Sequence, residues 1–381
     1  LRMTRDQALA LRAVLVIGLA SALSYALCGG LTLDGQPAAF AAVIAALVVR
    51  PDFSRWPLSF YGILPLLIAV TMAIGVSVGL ALADMPQVLV FGSVAALMQV
   101  LGLLLPAPLR MLSGAIAITG VLPLLGTPSW SSWGQEVLGI VLGLAIGTGL
   151  QIVLTPARCR QGHPLDSPKA ARPAQGGGPS LAERLQAGLR SPFFWRKLVF
   201  ASLGLAIGEG LGAVTPKYVY FGVVLLLNDS IGATLERVRD RMAGVSLGVL
   251  MPLLVFNTLG LGDLQVGLVM AGTAALLVAL GMGQYLNTAL ISSGVAFIGY
   301  GPLVAWYIPN RWLGYLLGCG LALAVGLLLF PNLALRRFNA LEASGEAGYA
   351  ERLKLLPAAQ EEARWLGLPL PQLPASQATL R

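Results

Sequence analysis

The chain has 381 residues, of which 56% are hydrophobic and 11% charged, and its mean hydropathy is +0.79. Soluble domains carry roughly 25% charged residues, so the composition excludes a water-soluble fold and defines an all-α polytopic membrane protein, with room for about twelve helices of ~20 apolar residues. The formal charge of +8 does not indicate nucleic acid, because the basic residues lie in short connections between apolar runs, where their partner is the anionic inner leaflet of a bilayer.

The chain opens with Thr4 and Gln7 in a T-x-x-Q capping pattern, a helix start ahead of the first apolar run at about 9–31. That run is longer than a signal-peptide core and reads as a retained helix. Further spans are expected at about 37–49, 60–83, 87–105, 111–126 and 135–154, with Arg50 and Arg55 in the loop after the second. A polar linker over 157–195 follows, in which Ser180 and Glu183 form a second capping box before a short amphipathic helix. The second set is expected at about 197–214, 217–227, 242–259, 264–281, 285–301 and 311–330. The tail, 332–381, holds mixed charge and reads as a short amphipathic or partly disordered cytoplasmic segment.

Constant offsets relate the two sets. Pro37 and Pro216, and Asp84 and Asp263, stand 179 positions apart; Gly139 and Gly314, and Gly143 and Gly318, stand 175 apart. One small deletion between them accounts for the change. Residues 1–156 and 196–331 therefore read as two six-helix repeats, parallel because six is even. On this topology all but Lys217 and Arg311 of the 25 basic residues fall on one side. That asymmetry makes both termini and the linker cytoplasmic, in a multi-pass inner (plasma) membrane protein, with Asp34, Asp84, Glu136 and Asp263 marking the opposite face.

No enzyme is expected. Cys28, Cys159 and Cys319 are dispersed and His163 is the single histidine, so neither a disulfide framework nor a zinc site is indicated, and no cofactor is implied. No nucleophile, base and stabiliser can be assembled, and the 46 glycines read as close packing between membrane helices.

The densest charge lies in 229–248. Ile231, Leu235, Val238 and Met242 share one helical face and Glu236, Arg237, Arg239, Asp240 and Arg241 the other, with Asp229 or Ser230 as N-cap. This segment reads as a solvated connector with a helix on the headgroups, or as a coupling element beside a transport path. Glu209 is the only acid placed inside a span, where a carboxylate costs several kcal/mol unless paired, hydrated or protonated. It is either a proton-coupling group or a wetted helix end opposite Lys217. Pro65, Pro123 and Pro252 interrupt spans and free backbone carbonyls. Gln99, Asn257, Gln284, Asn287, Ser292 and Ser293 serve as interhelical glue or as lining for a polar path.

Within G-A-T-L-E-R-V-R-D-R-M-A-G-V-S-L-G, the residues Gly232, Thr234, Leu235, Arg241, Gly244 and Gly248 resemble the signature of the fusaric acid resistance and aromatic acid exporter (FUSC) family. Val245 stands where that family usually has Thr, and Pro65 occupies the first-half counterpart of Gly244. The resemblance implies proton-driven export of small aromatic or weakly lipophilic carboxylic acids. Large cytoplasmic domains are common after each half in the family; here a linker and a short tail stand in their place. The expected scheme makes Glu209 the proton carrier, uses Arg237, Arg239 and Arg241 to attract anions at the cytoplasmic mouth, and lines the path with Gln284, Asn287, Ser292 and Ser293. A passive organic-anion channel and a non-transporting membrane scaffold are the alternatives. The expected partners are a small organic-acid substrate and the bilayer, and a homo-oligomer is left open.

Overall fold

The computed structural model describes residues 5–33, 35–50, 58–105, 113–155, 180–213, 216–226, 230–296, 304–329 and 333–373. Thr4, Asp34, the 51–57 loop, most of the linker and Asp229 lie outside them. No strand occurs among the described residues. The first half contains α1 (Arg5–Gly30), α2 (Gln36–Val48), α3 (Leu58–Ala81), α4 (Gln87–Leu104), α5 (Ser113–Thr119) and α6 (Trp130–Leu154). After the linker helix α7 (Leu181–Arg190) come α8 (Pro192–Gly210), α9 (Lys217–Leu226), α10 (Ile231–Gly248), α11 (Leu250–Leu259), α12 (Asp263–Ala279), α13 (Leu286–Val295) and α14 (Val304–Ala324). The tail forms α15 (Ala334–Ala340) and α16 (Gly345–Leu366).

Each of the twelve apolar runs contains a described helix, but lengths differ. Among the described residues five helices are long and apolar enough to cross a membrane: α1 from Gln7, α3 from Phe60, α4, α6 and the 29-residue run Ile231–Leu259 that joins α10 to α11. Others are shorter. The 13 residues of α2 rise only ~20 Å, against ~30 Å of hydrocarbon. Leu11, Leu15, Leu19, Leu23 and Leu27 repeat every fourth residue of α1 and are exposed, a contiguous apolar stripe suited to lipid rather than water.

The described chain packs as two compact units that do not follow the two sequence halves. The first comprises residues 1–190 and 243–312. Its core joins α1 and α2 to α12 and α13 through Ala13, Ile17, Ala20, Ala42, Ala45, Met270 and Ala289. Small residues let these backbones approach closely. Along α6, a Cβ on Gly139, Gly143 or Gly147 would lie 2.4, 2.2 or 2.6 Å from the carbonyl oxygens of Pro37, Ala41 and Ala45. The common four-residue step shows that α2 and α6 run parallel. Ser21 Oγ on α1 donates to Ala42 O at 3.1 Å, tying α1 to the same helix.

The second unit comprises residues 191–242 and 313–381. Gly222 on α9 and Gly318 on α14 meet closely, a Cβ on either falling 2.7–2.8 Å from the other's Cα. The tail, expected to be amphipathic or partly disordered, forms a folded helical hairpin through Leu366. Ala334 and Phe338 of α15 bury against Ala358 and Ala359 of α16, and the Arg352 guanidinium stacks 4.4 Å from the Phe338 ring centre. An apolar face at helical spacing and a buried acid, Glu362, give this segment enough to fold upon.

Candidate functional site

The helix α10 carries the densest charge and the family-like residues, and its start is built from two sources. Ser230, one of the two N-caps expected from the sequence, accepts from Ala233 N–H at 3.2 Å. The second source lies 130 residues away: Glu362, 1% exposed, accepts from Gly232 N–H at 2.6 Å. The same carboxylate accepts from Ala334 N–H at 2.9 Å and Leu335 N–H at 2.8 Å, so one side chain satisfies first-turn amides of both α10 and α15. Close approach needs a glycine at 232, because a Cβ there would lie 2.0 Å from Ala358 O. Thr234 is buried and donates to Ser230 O at 2.9 Å, while Leu235 is half-buried.

The three arginines of the expected anion mouth separate. Arg237 is exposed. Arg239 pairs with Glu361 at 2.6 Å and with its neighbour Asp240 at 3.4 Å. Arg241 turns toward Tyr315, with its guanidinium 5.5 Å from the ring centre and a 3.4 Å bond to the hydroxyl. Arg237 and Arg239 are thus the exposed members of the set, Arg239 within ion pairs.

Farther along, Gly244 and Gly248 seat α10 on α13. A Cβ on Gly244 would meet Thr288 Cγ2 at 2.5 Å, and one on Gly248 would meet Ala289 O at 2.4 Å. Pro252, four residues after Gly248, lacks the N–H that would continue the helix ladder. The carbonyl so freed is taken by Ser293, whose Oγ donates to Gly248 O at 2.6 Å. Ser293 also bonds Thr273 at 2.9 Å, and Ser292 Oγ reaches Val245 O at 3.5 Å. Both serines thus hold helices together, whereas Gln284 and Asn287 are exposed.

Glu209 stands at the penultimate position of α8. It is exposed and within electrostatic reach of Lys217. Glu136 is the reverse case. The sequence placed it at a span boundary; the structure starts α6 earlier, where Ser129 accepts from Ser132 N–H at 3.0 Å, and buries Glu136 two turns into the helix at 4% exposure. The S-x-x-S cap before Trp133 was the available signal. Glu362 had none, since its acceptor role depends on a contact 130 residues distant.

Long apolar helices, a leucine stripe facing outward and glycine-mediated packing define a polytopic helical membrane protein. Residues 200–331 match the family described as fusaric acid resistance protein-like. The match takes in α10 whole, in agreement with the resemblance carried by Gly232, Thr234, Leu235, Arg241, Gly244 and Gly248. That likeness is consistent with a transporter. Comparison with curated proteins and with solved structures returns no match.

Proposed function

We propose that the protein exports small aromatic or weakly lipophilic organic acids in exchange for protons. The observation that carries this reading is the family match over α10, whose glycines at 232, 244 and 248 each sit where a Cβ would collide with a neighbouring backbone or side chain. Arg237 attracts the anion on the cytoplasmic side. Two repeats are supported by equivalent helix pairs. In the first half Gly143 of α6 packs on Ala41 of α2, and in the second its counterpart Gly318 of α14 packs on Gly222 of α9. The parallel course of α2 and α6 agrees with both being even-numbered crossings.

Reconstituted vesicles loaded with radiolabelled phthalate test the proposal, since the second charge of this aromatic acid slows passive leak. An inward proton gradient is expected to accelerate its efflux over protein-free vesicles. Equal rates with and without protein would refute transport, and acceleration that ignores the gradient but follows membrane voltage would establish a passive anion channel instead.

A further inference from the structure

Among the described residues two acids are buried, Glu136 and Glu362, and their surroundings differ. Glu362 is surrounded by backbone donors. Among the described residues Glu136 Oε2 has no hydrogen-bond partner. Glu136 lies six residues after Trp130 in the 25-residue α6, or ~9 Å along a ~37 Å helix. With ~30 Å of hydrocarbon centred on that helix, the residue falls about 5 Å inside the apolar boundary. An ionised, unpaired carboxylate at such a depth is costly and marks function by default.

The elements packed on α6 are α1, α2 and α3, and none brings a cation to it. No ionisable side chain is present on α2, and α3 carries only Tyr61. On α1, Tyr25 and Cys28 cluster with Ala38, Ala41 and Leu142, near the start of α2. Arg5, Asp6 and Arg12 lie toward the other end of α1, at least ~24 Å from Cys28 along the axis. Glu136 is the one charged residue on α6. The register set by Gly139 on Pro37 puts it one turn earlier, at the N-terminal end of α2. That end of a helix is electropositive. Burial opposes the anion while the α2 dipole favours it, and a positive dipole end disfavours a bound metal cation.

The geometry points to Glu136 as a proton-binding site. A proton from water adds to a carboxylate oxygen, the neutral acid is the form held in the buried position, and release to water restores the anion. Use of this proton to drive export rests on the transport reading above; the binding does not.

Two measurements on the full chain in lipid vesicles keep these apart. Infrared difference spectra across a pH titration are expected to show a carboxylic-acid carbonyl band that is absent from Glu136→Gln and shifted in Glu136→Asp, which retains an acid. An unchanged band in Glu136→Gln overturns the assignment, whatever the protein transports. In the phthalate vesicles, Glu136→Gln should lose gradient-driven efflux yet keep exchange of internal for external phthalate, which requires no net proton movement. Gradient-driven efflux at the parental rate in that variant would overturn the coupling role. Retained coupling in Glu136→Asp is expected and excludes misfolding as the cause of the loss.

Discussion

Glu362 and Arg239 show how differently two charged contacts on the same surface of α10 contribute. Arg239 and Glu361 form a short pair, but the Arg239 side chain is 47% exposed, and such pairs contribute about 0–1 kcal/mol. Arg239→Ala should therefore barely move the thermal midpoint. Glu362→Ala removes the acceptor of two buried amides and one half-buried amide, a buried one left unsatisfied costing about 1–3 kcal/mol. Limited proteolysis should cut the tail of this variant far faster than that of the parent. Glu362→Gln keeps one acceptor oxygen and should fall between. Gly232→Ala attacks the same joint from the other side, through the Ala358 carbonyl, and should free the tail in the same assay.

At the level of elements, the break between α10 and α11 is a local exchange of donors. Pro252 removes a backbone donor from Gly248 O and Ser293 supplies a side-chain one. Ser293→Ala should cost about 1–2 kcal/mol as the carbonyl loses its partner. Pro252→Ala returns a backbone N–H to that carbonyl, so the double variant should be less destabilised than the sum of its singles, by about 1 kcal/mol in a thermal-unfolding cycle. Much of this scale was legible beforehand. The Ser180–Glu183 box forms both of its reciprocal bonds, at 2.8 and 3.2 Å, because a capping box is a property of four consecutive residues. The Ser230 cap, the apolar face of α10 and the freed carbonyl near Pro252 were equally local. What was not legible depended on partners far away in sequence. The fates of Arg239 and Arg241 were decided by Glu361 and Tyr315, and the folding of the tail by Gly232. Glu136 was misplaced for another reason, a helix that begins one and a half turns before its apolar run.

Across the whole molecule, topology governs what any mechanism can use. With Cys28, Cys159 and Cys319 replaced, Glu209→Cys should react with a membrane-impermeant maleimide from outside the cell. Arg364→Cys, on the exposed face of α16, should react only after permeabilisation. Labelling of both from the same side would remove the opposed placement of Glu209 and the tail.

The grip of Glu362 on Gly232 also sets a schedule. Ribosomes add roughly 5–20 residues per second, so α10 emerges on the order of ten seconds before the carboxylate that completes its first turn, 130 residues downstream. Until then its leading amides rely on Ser230 and water, while the hydrophobic helices beyond it are already being handed to the membrane. Residue 362 thus acts as a late latch in biosynthesis, and a nascent chain stopped short of it exposes an unfinished helix start to the cell's proteases.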